Sequence, residues 1–135
     1  MATPLFVTGI LGKGQSWSDA DSANTKKDLT AVASGNGMLV AAAFCVSTDT
    51  ANKVVQLFLN DGSTDVHIWS IPVPLLSGSD GATAGVNLFG NTTLLPGLAS
   101  DGSLAIPSGW KLRAAVTATL TSGKTVTVTT NGGSL

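Results

Sequence analysis

LAIPSGWKLRAAVTATLTSGKTVTVTT, residues 104–130, reads as two antiparallel strands joined by a tight turn. From Trp110 the residues alternate without a miss. Trp110, Leu112, Ala114, Val116, Ala118 and Leu120 fall on one face, and Lys111, Arg113, Ala115, Thr117, Thr119 and Thr121 on the other. Side chains in a strand switch faces at every residue, so one face is apolar and the other wet. Ser122-Gly123 supplies a turn, Thr125–Thr130 resumes the alternation with Val126 and Val128 inward, and Pro107-Ser108-Gly109 marks the entry. The expected unit is a β-hairpin in an antiparallel sheet packed on a partner sheet.

Composition points the same way. All eight acidic residues are Asp, Tyr is absent, and 16 residues are Gly. Glu favours helices whereas Asp favours turns and caps, so this choice suits strands joined by turns. The chain has 135 residues, enough for one domain with a core of its own.

Outward from the opening stretch, residues 1–24 read as an extended arm and residues 25–135 as a single domain. Thr3–Thr8 makes a short strand within the arm, followed closely by Gly9, Gly12 and Gly14. Thr25–Ala33 is the next strand, and Ser34-Gly35-Asn36-Gly37 a turn. Met38–Ser47 is apolar on both faces and reads as a central strand covered on both sides. Val54–Leu59 and Asp65–Val73 flank Asn60-Asp61-Gly62-Ser63-Thr64, a hairpin signal. Pro72 and Pro74 end that hairpin. Val86–Leu95 is a strand interrupted near Gly90-Asn91. The sum is an all-β antiparallel sandwich of about eight strands, jelly-roll-like or immunoglobulin-like.

Charge and chemistry narrow the function. Only 11% of residues are charged and the formal net charge is −1. So low a surface charge hints at assembly into a homo-oligomer. Six Lys and one Arg against eight Asp provide no basic excess, so nucleic acid is not an expected partner. The longest apolar run, Met38–Val46, has nine residues, against about 20 for a helix that spans a bilayer. Neither a membrane role nor a signal peptide is expected.

No catalytic, cofactor-binding or metal-binding residue is expected. His67 is the only histidine. Asp65 shares its face, but no G-x-S-x-G elbow accompanies them. Asp19 and Asp21 form a D-x-D pair without the closing Glu of a calcium loop. Gly9, Gly12 and Gly14 lack the order of a phosphate-cradling loop. Cys45, the single cysteine, reads as a packed thiol. The candidate functional residues are instead apolar ones in need of a cover: Phe6, Ile10, Leu11 and Trp17 in the arm, and Phe58 and Trp69 in the Asn60–Thr64 hairpin. Leu57 and Leu59 are expected to share one face with Val66 and Ile68, leaving Phe58 and Trp69 together on the other. Buried aromatics of this kind anchor interfaces.

TKKDLTAVASGNGMLV (25–40), VVQLFLNDGSTDVHIWSIPVP (54–74) and LAIPSGWKLRAAVTATLTSGKTVTVTTNGGSL (104–135) resemble a group of small virion-associated proteins of tailed bacteriophages and prophages. That group has an Asn-Asp-Gly-type turn, an Ile-Pro strand end, a Leu-Pro-x-Gly-x-x-Leu step and a Thr/Ser-Gly-Lys-Thr hairpin. Its frequent Gly-Gly-Asp-Tyr ending is replaced here by Gly133-Ser134-Leu135. The resemblance implies a structural protein made in the host cytoplasm and carried on the virion. On this view it decorates or cements the capsid surface, with the major capsid protein and its own copies as partners and a homotrimer as the specific expectation. A tail, collar or host-surface-binding component of the same fold is the alternative it implies.

Overall fold

The computed structural model describes residues 9–10, 13–90, 95 and 97–135. Among them are ten strands and no helix: β1 (Gly9–Ile10), β2 (Lys13–Ser18), β3 (Lys26–Asp28), β4 (Met38–Ser47), β5 (Lys53–Asn60), β6 (Asp65–Val73), β7 (Val86–Asn87), β8 (Leu104–Ile106), β9 (Lys111–Val116) and β10 (Thr125–Ser134). They form two antiparallel sheets stacked as a β-sandwich. In sheet A, β10 and β4 are central; β1 and β2 line the outer edge of β10, and β7 and β8 that of β4. Sheet B runs β3-β9-β5-β6.

The opening stretch corrects the expected hairpin. β9 pairs with β3 and β5 in sheet B, whereas β10 pairs with β2 and β4 in sheet A. The alternation is real: Leu112, Ala114 and Val116 are buried from one sheet, and Val126 and Val128 from the other. The two apolar rows face each other across the core instead of lying side by side. What carries the chain across is the eight-residue link between Val116 and Thr125, tied at Thr121 to the buried Asp49. Leu104–Ile106 likewise joins sheet A, beside β4.

The core is built from β2, β4, β5, β6, β8, β9 and β10. Trp17, Val40, Cys45, Val55, Leu57, Trp69, Val73, Leu112, Val126 and Val128 belong to one buried cluster. Each fully buried aliphatic or aromatic side chain contributes about 1.5–3 kcal/mol. Residues 13–18 of the expected arm are therefore a built-in strand: β2 pairs with β10 over six residues and inserts Trp17 into the core. The expected strand Thr25–Ala33 shortens to β3, after which Leu29 and Thr30 stay buried in an irregular segment. Of the expected strand Val86–Leu95, Val86–Asn87 form β7 and residues 88–89 a turn, while residues 91–94 lie outside the described residues.

Two β-bulges reset faces that unbroken alternation would assign differently. In β4, Ala42 is registered with Asn131 and Val40 with Gly132, so Ala41 is the extra residue. Met38 and Val40 point inward before it, and Ala43, Cys45 and Ser47 after it. The expectation of a strand covered on both sides is corrected: β4 is fully covered on one face only, and on the other Leu39, Ala42 and Val46 are part-buried while Phe44 is 44% exposed. Gly132 makes the bulge possible, because a Cβ there would lie 2.0 Å from the Leu39 carbonyl oxygen. In β6, Trp69 is registered with Leu57 and His67 with Phe58, leaving Ile68 as the extra residue. Trp69 therefore joins Leu57 in the core, while Phe58 turns outward with His67. The pairing of Phe58 and Trp69 on one face is thereby overturned. A bulge inserts one residue on one strand, so all side chains beyond it change face.

Candidate interface surfaces

The sandwich presents two outer faces of opposite chemical character. On sheet B, Lys26, Asp28, Lys111 and Arg113 from β3 and β9 meet Asp65 from β6. The Arg113 guanidinium lies 2.9 Å from Asp28 Oδ1 and 3.0 Å from Asp65 Oδ2. Lys111 reaches Asp28 at 3.1 Å and Lys26 reaches Asp65 at 3.4 Å. Asn60 donates a bond to Asp65 Oδ1 at 2.8 Å. That bond first, then Arg113 and Lys26, hold the Asp65 carboxyl below the usual carboxylate range against a smaller opposing effect of burial. Arg113 thus bridges two carboxylates at opposite edges of the four-stranded sheet B in a partly buried network.

Phe58 lies in this charged face yet is only 8% exposed. The Lys26 ammonium stands 4.7 Å from its ring centroid and the His67 ring 5.4 Å away. A cation over an aromatic face is attracted by the ring's quadrupole. His67 itself has Nε2 at 3.0 Å from both the Trp69 carbonyl and the Ser70 hydroxyl. Asp65 does not orient it, being engaged by Arg113, Lys26 and Asn60.

Sheet A is different. Its outward row on β10 is Thr125, Thr127 and Thr129, bordered by Ser16 and Ser18 of β2 on one side and by Phe44 and Val46 of β4 on the other. Asn131 and Ala42 continue the face beyond them, and Asn87 of β7 lies beside Phe44. Ser16 and Thr127 hydroxyls bond each other at 2.9 Å, and so do those of Thr48 and Thr125 at 3.3 Å. None of these outward strand residues is ionisable, and Asp101, from the loop before β8, stands at the border of the face in a pocket with Ala41, Ala42 and Asn87. Small hydroxyls already paired with one another, together with a part-exposed phenylalanine, make a surface that costs little to remove from water.

A third feature is an apolar cleft of about 520 Å³ at the side of the sandwich between β6 and β8. Leu59, Ile68, Trp69, Leu104 and Trp110 contribute to its walls. Trp110, expected inward, packs on the core but stays partly exposed here.

The expected interface residues are thus dispersed. Trp17 is 1% exposed and its indole N–H donates to the Thr25 carbonyl at 2.8 Å. Trp69 is 6% exposed and meets Phe89 edge-on, with centroids 5.9 Å apart. Both tryptophans are covered within their own chain. Phe58 is covered by Lys26 and His67. Phe6 and Leu11 lie outside the described residues, as does the side chain of Ile10. Phe44 was missed by sequence reasoning, because an apolar strand reads as covered on both faces until the bulge is seen. Its only trace was the Gly132-Gly133 pair.

Other candidate chemistry is occupied by structure. Asp21 accepts the Ser18 N–H at 2.9 Å and pairs with Lys27 at 3.1 Å, closing the corner between β2 and β3. Among the described residues, no group of three or more His, Cys, Asp or Glu side chains is placed to hold a metal ion. Cys45 is fully buried, and burial pushes its thiol up to about 12. Neither the models of known protein families nor the curated proteins compared with this chain give a match.

Proposed function

We propose that this protein is a structural subunit of a tailed-bacteriophage particle that decorates and stabilises the capsid shell. It docks on the major capsid protein through the outer face of sheet A and turns the charged face of sheet B to solvent. The observation that carries this reading is the contrast between the two faces. One holds Lys26, Asp28, Asp65, Lys111 and Arg113 in ion pairs, and the strand residues that face outward on the other are uncharged, with Asp101 only at its border. Interface cores are depleted of charge and enriched in aromatics, which matches the surroundings of Phe44. The sequence resemblance to virion-associated proteins supports the same assignment, as does the low overall charge. A homotrimer is the expected assembly, since closed cyclic symmetry lets one patch of each copy meet a different patch of the next.

Co-sedimentation with emptied phage shells tests the reading. The wild-type protein should pellet with shells, and weakly salt-dependent binding is expected because no ion pairs form on the docking face. Phe44→Lys with Thr127→Lys places two charges on that face and should weaken binding at least tenfold without changing the melting temperature by more than about 3 °C. Unchanged binding by this double variant would remove sheet A as the docking face. Failure of the wild type to bind any shell protein would remove the decoration role.

A further inference from the structure

We infer that Asn36 is a site of spontaneous modification, losing its carboxamide nitrogen as ammonia to become aspartate or isoaspartate, while Asn131 is held back by the strand that contains it. Both asparagines precede a glycine, at Asn36-Gly37 and Asn131-Gly132. Glycine has no Cβ, so the peptide nitrogen that follows the asparagine is unshielded and can approach its side chain. The other asparagines are placed differently. The carboxamide oxygens of Asn52, Asn60 and Asn87 accept the N–H groups of Leu75, Gly62 and Phe89 at 3.0, 2.8 and 3.0 Å. Asn24 and Asn91 each precede a β-branched threonine. Asn36 is exposed, and its carboxamide is bonded to no other described residue.

The chemistry needs only water and hydroxide. Hydroxide takes the Gly37 amide proton, and the peptide nitrogen attacks Asn36 Cγ. The Cγ–Nδ2 bond breaks, and ammonia leaves with a proton from water, which regenerates hydroxide. The five-membered succinimide then takes up one water. Opening at Cγ gives aspartate, and opening at the main-chain carbonyl gives isoaspartate, in which the backbone runs through the side-chain carbon. Either product adds one negative charge to a chain of formal net charge −1. Ring closure requires the peptide unit after the asparagine to turn away from its partners. In the Ser34–Gly37 turn that unit is held by the bond from the Gly37 N–H to the Ser34 carbonyl at 3.0 Å, and Ser34, Gly35 and Asn36 are all exposed. Segments of this kind open locally at low free energy. The second peptide unit lies inside β10, with Thr130 opposite Ala43, Asn131 opposite Ala42 and Gly132 opposite Val40. β10 is central in sheet A, so freeing that unit means parting the sheet. The Gly37 carbonyl accepts the Leu135 N–H at 3.1 Å, and the Gly37 backbone abuts the Ile106 carbonyl. The extra methylene of isoaspartate therefore falls where β4, β8 and Leu135 meet. The inference goes beyond shell binding and does not depend on it.

Peptide mapping by mass spectrometry of the full-length protein, aged in mildly alkaline buffer, tests it. Trypsin cleavage after Lys27, Lys53 and Lys124 places Asn36 in peptide 28–53 and Asn131 in peptide 125–135. In the native protein the first peptide should exchange amide for carboxylate at least about tenfold faster than the second. In urea, with the sheet opened, the two rates should converge. Asn36→Gln, whose reaction would need a six-membered ring, should leave peptide 28–53 unconverted. Equal native rates, or faster conversion at Asn131, would overturn the inference. So would a rate ratio unchanged by urea, which would show that the fold does not make the distinction, or conversion of peptide 28–53 persisting in Asn36→Gln.

Discussion

Removing the Asp49 carboxylate should unfasten the crossing between the two sheets. Asp49 is fully buried in the connection between β4 and β5. It accepts the Ala51 N–H at 2.8 Å, the Thr121 N–H at 2.9 Å and the Thr121 hydroxyl at 2.9 Å. Lys53 lies 3.8 Å away and also donates to the Thr119 carbonyl at 3.1 Å. In Asp49→Ala the Thr121 hydroxyl can rotate to another acceptor and Lys53 keeps Thr119, but two backbone N–H groups lose their partner. Each such loss costs about 1–3 kcal/mol, so a total of about 3–5 kcal/mol is expected, in line with the breaking of other buried charged contacts. For a domain of this length that corresponds to a fall in melting temperature of about 10–20 °C. Asp49→Asn keeps one acceptor oxygen but turns an NH2 group toward a donor, so its loss should be smaller, about 2–3 kcal/mol.

Acid provides an independent check on the same residue. Burial alone would raise the Asp49 pKa, but the bonds from Thr121 and Ala51, helped by Lys53, bring it below the usual value. A carboxyl with a depressed folded-state pKa stabilises fully above its unfolded value, about 3.9, and loses that contribution as pH falls through the folded value. The gap between wild type and Asp49→Ala, followed by circular dichroism, should therefore be widest at neutral pH and narrow toward about pH 3. A melting temperature within about 3 °C of wild type at neutral pH, or a gap that does not narrow in acid, would refute this account of the crossing.

Other outcomes follow from burial and register. Trp17→Ala should cost about 3–5 kcal/mol in chemical denaturation, and Trp110→Ala, at a partly buried position, about 2 kcal/mol; the reverse order would show that β2 is not part of the core. Gly132→Ala should destabilise by at least about 2–3 kcal/mol, since the added carbon meets backbone of β4 rather than a side chain able to move; an unchanged melting temperature would contradict the bulge. Arg113→Ala should cost about 1–2 kcal/mol at neutral pH, an effect that fades as the depressed Asp65 carboxyl protonates in acid. Cys45 should resist thiol reagents until the protein unfolds, and stoichiometric labelling of the native protein would show its burial to be wrong.

Much of this architecture was legible in the order of residues. Alternation over Leu112, Ala114, Val116, Val126 and Val128 determined which side chains point inward, because the strand period is a local property of the backbone. Asp-Gly and Ser-Gly turns, the absence of Glu and the prolines after Ile71 determined an all-β chain of short strands, and Met38–Ser47 and Asp65–Val73 have the bounds that their composition predicts. Tertiary structure alone decided partnership. Alternation states a strand's inward face but not its neighbour, so β9 and β10 read as a hairpin although they belong to opposite sheets. The same holds for the bulges at Ala41 and Ile68. Each exists because a particular partner strand offers one residue fewer, and a close approach such as Gly132 to Leu39 leaves no periodic mark in either strand. The candidate surfaces inherit that limit. Phe44 and the cleft beside Trp110 emerge only when sheets are paired, because exposure is a property of what does not pack against a residue, and that is settled by the whole chain.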